Sequence, residues 1–332
     1  MTILKEIGNT PLIKLKRVID HHDVEIYVKC EFMNPGGSIK DRMALTMIEE
    51  AEKRGDLKPG GKIVEQSTGN TGPALAFVGA VKGYDVQLFM PATLSSAYNP
   101  ADRIRIARLF GCEVTQIDLK KHINTIEVLS EVERAAAFVA VRMAQCYDLQ
   151  QKNPKAWWAN QLGNPDNTKA HREQTGREIV EQMGGKVDAW VASVGTGGTL
   201  MGVAQALKLA NPEIVVTGVV PTDDRRIEWV RSGAVHDALE KFGAPRLRFL
   251  IEDVLDEKIM DHEIVVRNED AKNMANRLAS EEGLFCGMSS GANVFAAIEM
   301  AKTMKKGSKI VTVLVDRRDR YFSEYPNEHY VV

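Results

Sequence analysis

The chain has 332 residues, 44% of them hydrophobic and 27% charged, with a net charge of −2. That length exceeds the usual single domain, so two domains or lobes are expected. The near-neutral charge argues against a broad nucleic-acid or anionic-membrane surface, and no apolar run is long enough to span a bilayer. The start, MTILKEIGNTP, lacks the long apolar core of a secretory signal. Cys30, Cys112, Cys146 and Cys286 are scattered and form no CxxC pair, which suits buried thiols in a reducing cytoplasm better than disulfides or zinc. The seven histidines make no metal-ligand spacing, and the adjacent His21 and His22 read as a solvated loop.

In chain order, VEIYVKCEF (24–32) reads as a strand. It leads into NPGGSIKDRMA, where two glycines free the backbone and Ser38 with Asp41 reads as a capping box. The helix that follows carries Ile39, Met43, Met47 and Ala51 four residues apart, and Gly55 stops it. Lys40 falls on its second residue, near the positive end of the helix dipole. The field there disfavours the ammonium form, and a free amine attacks carbonyls. KPGG (58–61) is a turn, KIVEQ (62–66) a short strand, and GPALAFVGAVKGY a helix with Pro73 near its start. DVQLFMP is a strand, DRIRIARLFGC a helix and EVTQIDL a strand; a long helical pattern covers roughly 125–145. VDAWVASV, EIVVTGVV and KIVTVLV are later strands, each beside a helical stretch. This alternation predicts an α/β protein with parallel sheets covered on both faces. Near-continuous apolar strands such as IVTVLV suit a buried sheet. Two such sheets are expected, with the active site between them.

Three loops sit where open α/β sheets bind ligands, past the carboxyl ends of strands. The first carries Lys40. The second holds Ser67, Thr68, Gly69, Asn70, Thr71 and Gly72 ahead of a helix. Its hydroxyls, amide and backbone N–H groups suit a carboxylate, although an ordinary capped turn would use the same residues. The third is VGTGGTLMG, with Gly195, Thr196, Gly197, Gly198 and Thr199 between a strand and a helix. No Gly-Lys-Ser/Thr follows, so it is not a P-loop; Leu200 stands where a dinucleotide fingerprint needs its third glycine. A single phosphate fits such a turn, and so does a plain tight connection. Together the loops ask for a ligand with a phosphate and an aldehyde, plus a substrate with a carboxylate. Pyridoxal phosphate with an amino acid meets that demand.

The motifs IGNTPL, NPGGSIKDR, STGNTG, NQLGNP, GTGGT and EEGLFCGMSSGA, in this order, resemble the cysteine synthase and cystathionine β-synthase family. The resemblance spans about residues 5–300 and implies a fold-type II pyridoxal-phosphate enzyme, similar to tryptophan synthase β. Its two lobes would each hold a mostly parallel twisted sheet flanked by helices. It implies a large cofactor-binding domain, 1–38 plus 147–332, and a small mobile domain, 39–146, carrying the carboxylate loop. Lys40 would be the Schiff-base lysine and the base for the α-proton, and Asn70 would bond the cofactor's 3′-hydroxyl. Ser67, Thr68, Gly69 and Thr71, with Gln161, would hold the substrate carboxylate. Gly195, Thr196, Gly197, Gly198 and Thr199 would bind the phosphate, and Ser289 would face the pyridine nitrogen. A serine there does not hold that nitrogen protonated, which suits elimination at Cβ. No metal is implied. Family members are usually homodimers.

The implied reaction is β-replacement on an activated L-serine through a bound aminoacrylate, with sulfide addition giving L-cysteine. A cystathionine or diaminopropionate-type synthase would use the same machinery with another nucleophile. A lyase, such as a cysteine desulfhydrase or serine dehydratase, would let water finish the job. A metabolite-binding relative without turnover is opposed by the presence of Lys40, Asn70, the glycine cradle and Ser289. A nucleotide-binding dehydrogenase is opposed by the broken fingerprint. The chain departs from the family at Ser67-Thr68 (usually Thr-Ser), at Val220-Pro221, at FGAPRLRF, and at DRRDRY near the C-terminus. Arg231 lies ten residues after Pro221, where the O-phosphoserine-using branch carries an arginine that meets the substrate phosphate. A solvated basic helix face beside Asp223, Asp224 and Glu228 would account for it too. Both O-phosphoserine and O-acetylserine therefore stand as candidate substrates.

Overall fold

The computed structural model describes residues 2–19, 23–92, 99–118, 121–122 and 129–324. The His21–His22 loop, positions 125–128 of the expected long helix and the C-terminal residues 325–332 lie outside them. The strands are β1 (Leu12–Lys14), β2 (Glu25–Cys30), β3 (Lys62–Gln66), β4 (Asp85–Pro91), β5 (Glu113–Ile117), β6 (Ala156–Trp158), β7 (Ala189–Ser193), β8 (Val215–Pro221), β9 (His262–Val266) and β10 (Lys309–Leu314). The helices in chain order are α1 (Lys40–Arg54), α2 (Thr71–Lys82), α3 (Ala101–Leu109), α4 (Glu131–Lys152), α5 (Pro165–Ala170) and α6 (Arg177–Met183). They continue with α7 (Gly198–Ala210), α8 (Arg226–Arg231), α9 (Ala234–Lys241), α10 (Leu250–Asp256), α11 (Asn268–Glu282) and α12 (Met288–Ala301).

The chain forms two compact units. The first comprises Met1–Met43, Pro165–Asp224 and Phe249–Arg318. Its sheet runs β1-β2-β10-β7-β8-β9, parallel except for the β1–β2 pair. β10 lies between β2 and β7, and Ile310, Val311, Val313 and Leu314 are all buried, as an apolar run in a covered parallel sheet requires. α12 packs on β10 and β7, α7 on β7, and α11 on α12. The α11–α12 approach is close: a Cβ on Gly291 would stand 2.0 Å from the Ala271 carbonyl oxygen and 2.7 Å from the Ala275 nitrogen. Gly291→Ala is therefore expected to destabilise by about 1–3 kcal/mol, since backbone cannot step aside as a side chain can. An unchanged thermal midpoint would show that the two helices are not packed this tightly.

The second unit comprises Ala44–Asn164, Arg225–Arg248 and Asp319–Val332. Its sheet is all parallel, in the order β5-β4-β3-β6, with α4 packed on β3 and α2 on β4. The division differs from the sequence-based one. A cut between residues 146 and 147 would sever α4, which runs unbroken to Lys152, and would part β6 from its neighbour β3. The second unit also takes in 225–248, because α8 and α9 pack against α4.

α4 begins at Glu131, later than the helical pattern suggested. Ser130 caps it: its Oγ accepts from Glu133 N–H at 3.2 Å, and Glu133 Oε2 accepts from Ser130 N–H at 2.9 Å. β1, β6 and β9 are strands beyond those predicted from the sequence. The first two have three residues each, and β9 is an edge strand with exposed His262 and Glu263. All four cysteines are buried free thiols; burial pushes Cys30, Cys112 and Cys286 up to about 12 and Cys146 well above its ordinary value. No described helix is long and apolar enough to cross a membrane.

Candidate active site

In the first unit, Lys40 is the first residue of α1 rather than the second, and its side chain is half-buried. Ser38 Oγ accepts from Lys40 N–H at 3.3 Å, and Asp41 Oδ2 reaches back to accept from Gly36 N–H at 2.6 Å. That closure explains the paired glycines. A Cβ on Gly36 would meet the Asp41 carboxylate at 2.5 Å, and Gly37 has φ 85°, in the left-handed region. Ser38 and Ile39 are tied to the turn after β10, through the Ser38–Asp316 bridge and the Ile39 N–H bond to Val315 O at 2.9 Å. Lys40 is thus offered on a backbone braced by the central strand of its sheet.

Two residues on, a buried ionic network supports the same corner. Arg42 donates from Nε to Glu31 Oε2 at 2.7 Å and from Nη2 to Glu31 Oε1 at 2.8 Å. It also donates from Nη1 and Nη2 to Glu178 at 2.6 and 2.7 Å, and Lys29 Nζ pairs with Glu178 at 2.6 Å. Glu31, Arg42 and the Lys29 side chain have no solvent exposure. Burial alone would raise Glu178, but Arg42 and Lys29 outweigh it and hold the carboxyl at about 2.

The glycine turn lies in the same unit. β7 ends at Ser193 and α7 starts at Gly198, so Gly198 and Thr199 belong to the helix's first turn. Gly197 has φ 92°, and a Cβ there would press on the Leu250 backbone at 3.1 Å. A Cβ on Gly198 would sit 2.5 Å from Asn167 Oδ1. Thr196 Oγ1 accepts from Asn167 Nδ2 at 3.0 Å. Thr199 Oγ1 bonds His171 Nε2 at 3.1 Å, and His171 Nδ1 bonds Thr175 Oγ1 at 3.0 Å. His171 opens a π-helical turn, 171–176, a feature often found at functional sites. Burial first, then the charges of Lys40 and Arg42, push its basicity well down, so the imidazole stays neutral. The donor set is chemically apt for a phosphorylated aldehyde: two threonine hydroxyls and the N–H groups of a helix start, with an amine nearby.

Ser289 is the second residue of α12, half-buried, and Gly287 occupies the N-cap. The adjacent Ser290 is buried and accepts from Val315 N–H at 2.8 Å. The two serines thus differ: Ser290 braces the turn after β10, and Ser289 is the more accessible.

The 67–71 loop is in the second unit, between β3 and α2. Ser67 Oγ accepts from Gly69 N–H at 3.2 Å and Gly72 N–H at 3.1 Å, and donates to Gly69 O at 3.2 Å. Thr71 Oγ1 donates to Gln161 Oε1, and Gln161 Nε2 donates to Gln66 O at 2.9 Å. Ser67, Thr71 and Gln161 are therefore brought together from positions 90 residues apart; Thr68 and Gly69 are the half-exposed tip. Asn70 occupies the N-cap of α2, but its side chain does not cap the helix. Its Oδ1 accepts from Arg320 Nη1 at 3.0 Å and its Nδ2 donates to Tyr321 Oη at 3.3 Å. Arg320 and Tyr321 belong to the divergent DRRDRY stretch, and sequence reading assigned them no role. It also passed over Glu65, His171 and the Glu31–Arg42–Glu178 network. A glutamate inside the apolar strand KIVEQ was the one available signal. Arg231 closes α8 and is exposed, and the loop bonds above do not involve it.

The sequence pattern of the family described as "Pyridoxal-phosphate dependent enzyme" matches residues 3–316. The chain belongs to that family, and its cofactor is pyridoxal phosphate. A cysteine synthase of Staphylococcus aureus (strain N315) is 38% identical over 322 residues, covering 97% of this chain and 95% of that protein. Among solved structures, O-ureido-L-serine synthase matches with a TM-score of 0.81 at 32% identity, covering 100% of this chain and 96% of the other. The O-acetylserine dependent cystathionine β-synthase of Helicobacter pylori matches with a TM-score of 0.79 at 27% identity, covering 97% of each.

Proposed function

We propose that the chain catalyses β-replacement on an activated L-serine, most simply sulfide addition giving L-cysteine, as a cytoplasmic homodimer. The observation that carries the reading is the His171 linkage. One buried imidazole is bonded to Thr199 of the glycine turn and feels the charge of Lys40, which supports an amine and a phosphate-type cradle serving one ligand. The relatives named as a cysteine synthase, an O-ureido-L-serine synthase and an O-acetylserine dependent cystathionine β-synthase support the reaction class, and their differing names leave the nucleophile to experiment.

The cofactor, when bound, supplies the electron sink that lets the α-proton and the β-substituent depart. Every other task falls to residues of this chain. Lys40 binds the cofactor through Nζ and moves the substrate's α-proton. Gly195, Thr196, Gly197, Gly198 and Thr199 hold the phosphate with backbone N–H groups and hydroxyls. Ser289 would stand at the pyridine nitrogen as a neutral partner. Asn70, fixed by Arg320 and Tyr321, would hold the ring through its 3′-hydroxyl. Ser67, Thr68, Gly69, Thr71 and Gln161 bind the substrate carboxylate, in a loop that closes on it and excludes water. Where the activated serine is O-phosphoserine, Arg231, with its fixed charge and fork of donors, is the residue that would select for it.

The test is to offer O-phosphoserine and O-acetylserine separately to the cofactor-loaded protein, with sulfide, and to measure cysteine. Formation of cysteine from one donor names the first substrate. If O-phosphoserine is that donor, Arg231→Ala raises its KM at least about tenfold. Pyruvate released at the same rate with and without a nucleophile would replace the synthase reading with a lyase. A monomer mass by light scattering would overturn the dimer.

A further inference from the structure

We propose that Glu65 is the positioning residue of the substrate-carboxylate site, holding Gln161 and the start of the 66–72 segment in register through one buried carboxylate. This rests on the β-replacement reading only for the identity of the ligand. Glu65 is the fourth residue of β3, with no solvent exposure. Its Oε1 accepts from Gln66 N–H at 2.8 Å and from Trp158 Nε1–H at 3.4 Å, and its Oε2 accepts from Gln161 N–H at 2.8 Å. One side chain therefore joins the end of β3, the end of β6 and the residue whose amide bonds both Thr71 and Gln66. A strand interior has no structural need for an acid. An alkyl side chain would fill the space while leaving those N–H groups to find other partners.

Arg142 and Cys146 face Glu65 from α4; Trp158 and Gln161 face it from the β6 side, and Leu88 is its register neighbour on β4. Cys146 stays a neutral thiol, so Arg142 supplies the charged neighbour. Burial raises Glu65 to about 7, against the lowering effects of Gln161, Gln66, Trp158 and Arg142. Ionised, both oxygens accept. Protonated, one oxygen carries a hydrogen toward a donor, and either Gln161 or Gln66 loses its anchor. Loosening Gln161 weakens carboxylate binding without touching Lys40, so the effect falls on KM rather than kcat.

The decisive experiment compares wild type with Glu65→Gln between pH 5.5 and 8.5, with two readouts: KM for the turned-over amino acid, and tryptophan emission of the cofactor-loaded protein without substrate. The expected wild-type result is a KM that rises about tenfold as pH falls through about 7, with an emission step at the same pH. Glu65→Gln should hold the raised KM at every pH, lose the emission step and keep kcat within about threefold. The substrate's own groups titrate alike in both proteins, so the difference isolates Glu65. A wild-type KM and pH profile in Glu65→Gln would overturn the proposal. If no activated serine is turned over, the reaction reading has failed, and the emission titration alone decides whether Glu65 titrates against Trp158. If Glu65→Gln does not fold, the wild-type profile decides: a flat emission and a flat KM would sink the idea.

Discussion

Lys40→Ala is expected to lose the visible absorbance of lysine-bound cofactor and at least about a thousandfold of turnover. Two properties of the site make that result interpretable. Lys40 opens α1 on a backbone held by Ser38 Oγ, by the Gly36–Asp41 closure and by the Val315 pairing at Ile39, none of which uses the lysine side chain. Alanine is also the strongest helix former, so helix content and thermal midpoint should change little. The loss then belongs to the amine. Wild-type absorbance and turnover in the alanine variant would remove Lys40 from the reaction, and the glycine turn would revert to a tight connection.

Arg42→Met is expected to lower stability by roughly 3–5 kcal/mol, the cost of breaking a buried ion pair from one side. Methionine fills much of the volume, but Glu31 is left buried without the guanidinium bonded to it, with Thr10 and Asn34 still donating to it. Glu178 keeps Lys29 and fares better. A Glu31→Gln, Arg42→Met double variant should regain at least half of the loss, because no buried charge then lacks its partner. The network also predicts an acid limb. Glu178 has a folded value of about 2 against an ordinary 4.5, a depressed carboxyl. Its contribution is present in full above about 4.5 and disappears as pH falls toward about 2. Denaturant midpoints taken through that window should fall more steeply in wild type than in Glu178→Gln. Equal slopes would show that Glu178 adds no acid sensitivity.

Much of the architecture was legible in the residues because its signals are local. Ile39, Met43, Met47 and Ala51 recur at helical spacing and all four are buried, and Gly55 ends the last turn with φ 80°. KIVEQ, DVQLFMP and KIVTVLV became β3, β4 and β10 almost residue for residue. The helix starts at Lys40, Thr71 and Gly198 were legible because such starts advertise themselves through glycine, serine, threonine and asparagine within a few positions. The grouping of the chain into its two units had no such local signal. The segment 225–248 joins the second unit through helix packing on α4, and no local pattern encodes that choice.

The sequence by itself determined an α/β chain with three loops at helix starts, and named its cofactor. Only the tertiary structure decided what steadies them. Arg42 meets Glu178 across 136 positions, Gln161 meets Glu65 across 96, and Arg320 meets Asn70 across 250. No local pattern in the sequence names these partners. Burial turns them into supports, because a charge or amide removed from water must find a fixed partner, and only the folded chain supplies it.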